Sequence, residues 1–226
     1  MQNKINSPIS LVLLDLDGTL ADTAPDLAHA LNSLLEESGH APLPFDRIRP
    51  MVSHGGIHML RQAFTLDTDD PGFAPLRERF LDKYLAHIAD QTTLFDGMLE
   101  LLEWIESAGF AWGIVTNKTE RLTIPLLQKL QLSERAACVV CGDTVAYSKP
   151  HPAPMLHACK LAGQDPTRTL YVGDAEKDVI AGKRANMYTL VALYGYIDDT
   201  ELPETWGADG LVHAPLQVRD WLQAMH

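Results

Sequence analysis

Between Ile9 and Leu20 the chain reads Ile-Ser-Leu-Val-Leu-Leu-Asp-Leu-Asp-Gly-Thr-Leu, an apolar run ending in two acids and a glycine. A short continuous apolar run closed by a turn residue predicts a strand buried on both faces, as in a parallel sheet. The pattern then becomes helical. Apolar positions Leu27, Ala30, Leu31, Leu34 and Leu35 recur at helical spacing and predict a helix over Pro25–Gly39, ended by the glycine. Two more helices are predicted at Gly56–Phe64 and Phe73–Ala89, set apart by the Pro-rich turn Ala41–Pro44 and the polar break Asp67–Gly72. From Asp96 the elements alternate. Helix Met98–Ser107 precedes strand Phe110–Thr116, helix Glu120–Leu130 precedes strand Ala137–Cys141, and helix Pro152–Ala162 precedes strand Thr169–Val172. Helix Lys177–Ala185, strand Tyr188–Leu193, a short strand Leu211–His213 and helix Leu216–Ala224 complete the series. Such alternation predicts an α/β protein, a parallel sheet with helices on both faces. The expected division is a core of residues 1–21 and 93–226, interrupted by a helical insertion over residues 22–92.

In open α/β sheets ligands bind outside the carboxyl ends of the strands. The residues expected there are Asp15, Asp17, Gly18 and Thr19, then Thr116-Asn117-Lys118, Ser148-Lys149-Pro150, and Gly173-Asp174 with Asp178. Side chains alternate with period two along a strand, so Asp15 and Asp17 are expected to point the same way. Two acids held together need a proton or a cation between them. That pattern suits metal-assisted phosphoryl transfer. Asp15 is the expected nucleophile and Asp17 the expected general acid and base. Asp15, Asp174, Asp178 and the Asp17 position, by way of a main-chain carbonyl, are the expected Mg²⁺ ligands. Thr116, Asn117 and Lys149 are expected to meet phosphoryl oxygens.

Composition narrows the partners. The chain has 226 residues, 46% hydrophobic and 21% charged, ordinary for a globular enzyme. A formal charge of −12 disfavours nucleic acid and anionic membranes, which need a basic footprint. No apolar run has the length of a membrane span, and the first residues lack the apolar region of a signal peptide, so a cytoplasmic location is expected. Oligomeric state is not legible. Three cysteines make no disulfide framework. Cys138 and Cys141 have a redox-like spacing, but alternation along a strand would put them on opposite faces, as small buried hydrophobes. His54 and His58 flank Gly55-Gly56, which breaks the helix between them and argues against a metal site.

The ordered set Asp15-Leu-Asp-Gly-Thr19, Thr116, Lys149, and Gly173-Asp174 with Asp178 resembles the four motifs of the haloacid dehalogenase superfamily of phosphatases. The resemblance implies a Rossmann-like core, a small four-helix cap made by the insertion, Mg²⁺ as cofactor and an aspartyl-phosphate on Asp15. The dehalogenases of that superfamily lack an acid two residues after the nucleophile, so Asp17 points to phosphate chemistry. Segments Ala111–Lys118, Tyr194–Ile197 and Trp206–Asp209 resemble the phosphoglycolate phosphatase group, with its branch acting on N-acetylmuramic acid 6-phosphate. Either small-molecule ester carries a carboxylate. The expected reader is the cap segment around Ser53, His54, Gly55 and Gly56, an amide nest for an anion, with Arg61 further along the helix. A sugar-phosphate mutase on the same scaffold, and more remotely a non-catalytic interaction protein, are the alternatives.

Overall fold

Six parallel strands form the main sheet of the computed structural model, which describes residues 9–225. They are β1 (Leu11–Leu14), β4 (Ala111–Val115), β5 (Cys138–Val140), β6 (Thr169–Gly173), β7 (Tyr188–Ala192) and β8 (Gly210–Val212). Two further strands, β2 (Ala21–Asp22) and β3 (Thr93–Leu94), pair antiparallel as a separate ribbon. The sheet order is β5-β4-β1-β6-β7-β8, so β1 lies inside, between β4 and β6. All four of its side chains are fully buried, as an apolar strand with both faces covered should be.

Alternation divides β1 between two cores. Val12 and Leu14 face one cluster with helices α5 (Met98–Ser107), α6 (Glu120–Lys129) and α9 (Leu216–Ala224), through Leu102, Leu126 and Leu222. Leu11 and Leu13 face the other, with Met155 and Ala158 of α7 (Ala153–Ala162) and Ala181 of α8 (Glu176–Arg184). All three cysteines are buried and free. Burial pushes the Cys138 thiol up to about 12, which leaves it an inert small hydrophobe.

Residues between β2 and β3 form a helical layer continuous with the first core: α1 (Ala24–Glu37), α2 (Phe45–Ile48), α3 (Gly56–Phe64) and α4 (Phe73–Ala86). Its two ends are pinched together by the ribbon, with Ala21 opposite Leu94 and Asp22 opposite Thr93. Asp26, fully buried in the first turn of α1, reinforces the pinch by accepting the N–H groups of Gln91 and Thr92 and the Thr92 hydroxyl. The sequence pattern missed α2 and the 3₁₀ turn Arg49–His54 that follows it. That stretch is short and contains Pro50, so it shows no helical period. Helix α4 stops at Ala86, short of the expected Ala89.

Gly113 lies in β4 opposite Cys138, and a Cβ there would sit 2.5 Å from the Cys138 Sγ and 2.8 Å from its carbonyl oxygen. The backbone oxygen cannot withdraw without breaking the sheet. Gly113→Ala is therefore expected to cost about 1–3 kcal/mol, read as a lower urea midpoint at unchanged m-value.

Candidate active site

The carboxyl ends of β1, β4 and β6 bring together one charged cluster. Asp15 follows β1 directly, Thr116 follows β4 and Asp174 follows β6. Asp178 sits in the first turn of α8, where its carboxylate accepts the Ala175 N–H at 3.1 Å. One oxygen each from Asp15, Asp174 and Asp178 lie within 4.8 Å of one another, the single such group among the described residues. All three are at most 6% exposed. Gly173 allows the crowding, because a Cβ there would stand 2.5 Å from the Asp178 carboxyl carbon.

Lys149 balances the cluster from below. Its ammonium lies 2.8 Å from both Asp15 Oδ1 and Asp178 Oδ1, and donates to the Val115 carbonyl at 3.0 Å and the Tyr171 hydroxyl at 2.8 Å. Burial opposes its charge, yet Asp15 and Asp178 hold the lysine above its ordinary value. With its protons engaged by protein oxygens, Lys149 braces the acids. The Asn117 side-chain amide donates to the Lys149 carbonyl and accepts the Lys149 N–H, both at 3.0 Å, so it positions the lysine, and Asn117 also lines the cavity described below.

Burial, opposed by Lys149 and assisted by Asp178, raises the Asp15 carboxyl to about 6. Burial, then Asp15 and Asp178, raise Asp174 to about 7. Three buried carboxylates facing one lysine are short of positive charge. The donor set, all hard oxygens, fits Mg²⁺.

Asp17 goes elsewhere. The strand ends at Leu14, and residues 16–21 curl into a loop in which the Leu16 carbonyl accepts the N–H groups of Leu20 and Ala21. Alternation no longer applies, so the Asp17 carboxylate leaves the cluster for the Lys118 ammonium at 2.7 Å and the Thr23 hydroxyl at 2.5 Å. The expectation that Asp15 and Asp17 point together is corrected, and the Asp17 side chain is not part of the three-carboxylate group. Burial works against the Lys118 charge, but Asp17 and Tyr84 outweigh it and hold the ammonium above its ordinary value.

A cavity of about 310 Å³ opens between this edge and the helical layer. Asp15, Asp17, Thr116, Lys118, Ser148, Asp174 and Lys177 form its polar floor. Val52, Ile57, Phe80 and Leu81 belong to its apolar wall. The layer is fastened over the floor at several points. Ser53 donates to Asp174 Oδ2 at 3.1 Å, its carbonyl accepts the Lys177 ammonium, and Arg49 donates to the Gly195 carbonyl at 3.0 Å.

Residues 12–192 match the family described as haloacid dehalogenase-like hydrolase. The chain belongs to this family. It is a phosphatase by kinship with curated members along nearly its whole length. It is 42% identical over 214 residues to an N-acetylmuramic acid 6-phosphate phosphatase of Pseudomonas aeruginosa, covering 95% of each chain. It is also 42% identical over 207 residues to a phosphoglycolate phosphatase of Xanthomonas campestris, covering 92% of this chain and 93% of that one. The crystal structure of a predicted phosphoglycolate phosphatase from Haemophilus somnus has the same fold, with a TM-score of 0.85 at 23% identity over 95% of this chain and 98% of that one.

For this hydrolase the expected substrate contacts divide. His54, Gly55 and Gly56 line the cavity. Ser53 lines it too, but its hydroxyl is turned to Asp174. Arg61 instead pairs with Asp67 at 2.7 Å on the outer surface, where both are exposed. Thr19 is fully buried away from the cavity, and Gly18 packs beneath Asp174, where a Cβ would sit 2.1 Å from Oδ2. The rings of His54 and His58 do meet, 4.8 Å between centroids, despite the glycine break, and they join no metal-ligating group among the described residues. Tyr84 and Lys177 were not expected at the site. Lys118 falls in the strand-end segment expected there, although no role was read for it, Lys177 reads from sequence as an exposed helix start, and Tyr84 carried no local signal.

The raised acids make a pH prediction for protein stripped of divalent metal. Each acid contributes stability while protonated: the contribution is whole below its unfolded value of about 4 and is lost as pH rises through about 6 for Asp15 and about 7 for Asp174. The Tm of chelator-treated protein is expected to fall between about pH 5 and pH 8, and added Mg²⁺ to raise it most at the alkaline end. A flat Tm with a pH-independent Mg²⁺ effect would contradict the assignment.

Proposed function

We propose that this hydrolase cleaves a small-molecule phosphomonoester in two steps, with Asp15 as nucleophile and Asp17 as acid then base. The carrying observation is the separation of the two acids. Asp15 sits in the three-carboxylate group, while Asp17 is held apart by Lys118 on the side of the cavity. The Leu16 N–H and Lys149 both bond Asp15 Oδ1, which leaves Oδ2 to attack phosphorus. Asp17 gives a proton to the departing alkoxide, then takes one from the water that opens the aspartyl-phosphate. The Thr116 oxygen accepts the Lys118 N–H at 3.1 Å, so its own proton is directed to a phosphoryl oxygen. Asp15, Asp174 and Asp178 would hold Mg²⁺, which when bound offsets the negative charge of acids and phosphate. Residues 22–92 serve as the cap that shuts water from this edge, a reading supported by the β2–β3 ribbon that joins the two ends of the helical layer.

Of the two esters named by the relatives, the cavity favours N-acetylmuramic acid 6-phosphate over 2-phosphoglycolate. Its apolar wall of Val52, Ile57, Phe80 and Leu81 suits a sugar ring with methyl-bearing substituents and offers nothing to a two-carbon acid. A mutase would retain the phosphoryl group; release of inorganic phosphate over many turnovers without a bisphosphate activator separates the two.

Asp15→Asn is expected to lower kcat by at least about 10³-fold, and chelation of Mg²⁺ to do the same reversibly, both read by phosphate release. The decisive comparison is kcat/KM for the two esters side by side. A preference of about tenfold or more for the amino sugar is expected, and a preference for phosphoglycolate would reverse the substrate reading while leaving the chemistry intact. Lys118→Met should free Asp17 and depress kcat by about 10²-fold with little change in KM, measured on the preferred ester.

A further inference from the structure

We infer that α4 is the element that measures the leaving group, and that Arg77 on it binds an anionic substituent remote from the phosphate. The inference rests on the phosphomonoesterase reading above and adds the residue that selects among esters. Arg77, Phe80, Leu81 and Tyr84 of α4 all line the cavity, at spacings of three, four and seven that share one face of a helix. Tyr84 marks the reacting end. Its ring lies 4.6 Å from the Lys118 ammonium that holds Asp17. Arg77 marks the other end. Seven residues of helix separate the two by about 10 Å along the axis, with the apolar step of Phe80 and Leu81 between them.

Elimination among the cations supports Arg77. Of the lysines and arginines lining the cavity, Lys118 is engaged by Asp17 and Lys177 by the Ser53 carbonyl. Among the described residues Arg77 pairs only with the adjacent, exposed Glu78 at 3.3 Å, a contact of little energy in water. On a chain of net charge −12, an anionic ligand needs such a local partner. The phosphate and carboxylate of 2-phosphoglycolate are joined by three bonds and span roughly 4–5 Å, too short to touch both ends of α4. A ring-sized sugar phosphate bearing a carboxylate across the ring from the phosphate reaches both.

The test compares N-acetylmuramic acid 6-phosphate with N-acetylglucosamine 6-phosphate, the same sugar phosphate without the lactyl ether that carries the carboxylate, on wild type, Arg77→Gln and Arg77→Lys. Arg77→Gln is expected to lower kcat/KM for the acidic sugar by about 10–100-fold, chiefly through KM, and to erase most of the wild-type preference for it. Arg77→Lys should restore part of the loss. An equal loss on both sugars, or a wild type indifferent to the carboxylate, overturns the assignment. Calorimetric binding of both sugars to Mg²⁺-loaded Asp15→Asn protein, with and without Arg77→Gln, reads the same contact without turnover. An Arg77-dependent preference there supports the assignment even if no ester is hydrolysed, a result that would instead defeat the hydrolytic mechanism; no preference there overturns it.

Discussion

The Lys149 ammonium between Asp15 and Asp178 is the interaction on which the site depends. Three carboxylates crowd the sheet edge, and without the lysine the buried charge would stand unopposed. The scaffold around it follows from that need. Tyr171 and the Val115 carbonyl also accept from the lysine ammonium, and Asn117 grips its backbone from both sides. Burial, together with the mutual repulsion of the acids, raises the carboxyls of Asp15 and Asp174 above the ordinary carboxylate range.

A second pair, Lys118 with Asp17, divides the labour. Had Asp17 stayed beside Asp15, two acids would have competed for the same cation. The loop after β1 turns it toward Lys118 and Thr23 instead. Lys118 is in turn covered by Tyr84 of the helical layer. Ser53 on Asp174 and Lys177 on Ser53 couple the carboxylate cluster to the same layer. The sheet edge and the helical layer are thus tied together by shared side chains.

Much of this was legible in the chain. The apolar run before Asp15, the helix and strand alternation after Asp96 and the acids at strand ends are local patterns, and local patterns survive as elements. Less legible was the stretch 45–54, which has no period, and the fate of Asp17, Asn117 and Arg61. Each of those three side chains takes a partner distant in sequence or set by a turn: Lys118, the Lys149 backbone and Asp67.

The sequence by itself determined the fold class and the place of the acids at the strand ends, because strand burial and strand-end position depend on residues adjacent in the chain. Only the tertiary structure decided which acids join the three-carboxylate group, which lysine braces it, and that α4 lines the cavity with Tyr84, Phe80, Leu81 and Arg77 in a row. Those choices depend on which side chains meet after the helical layer folds back over the sheet, and long-range proximity leaves no period or motif along the chain.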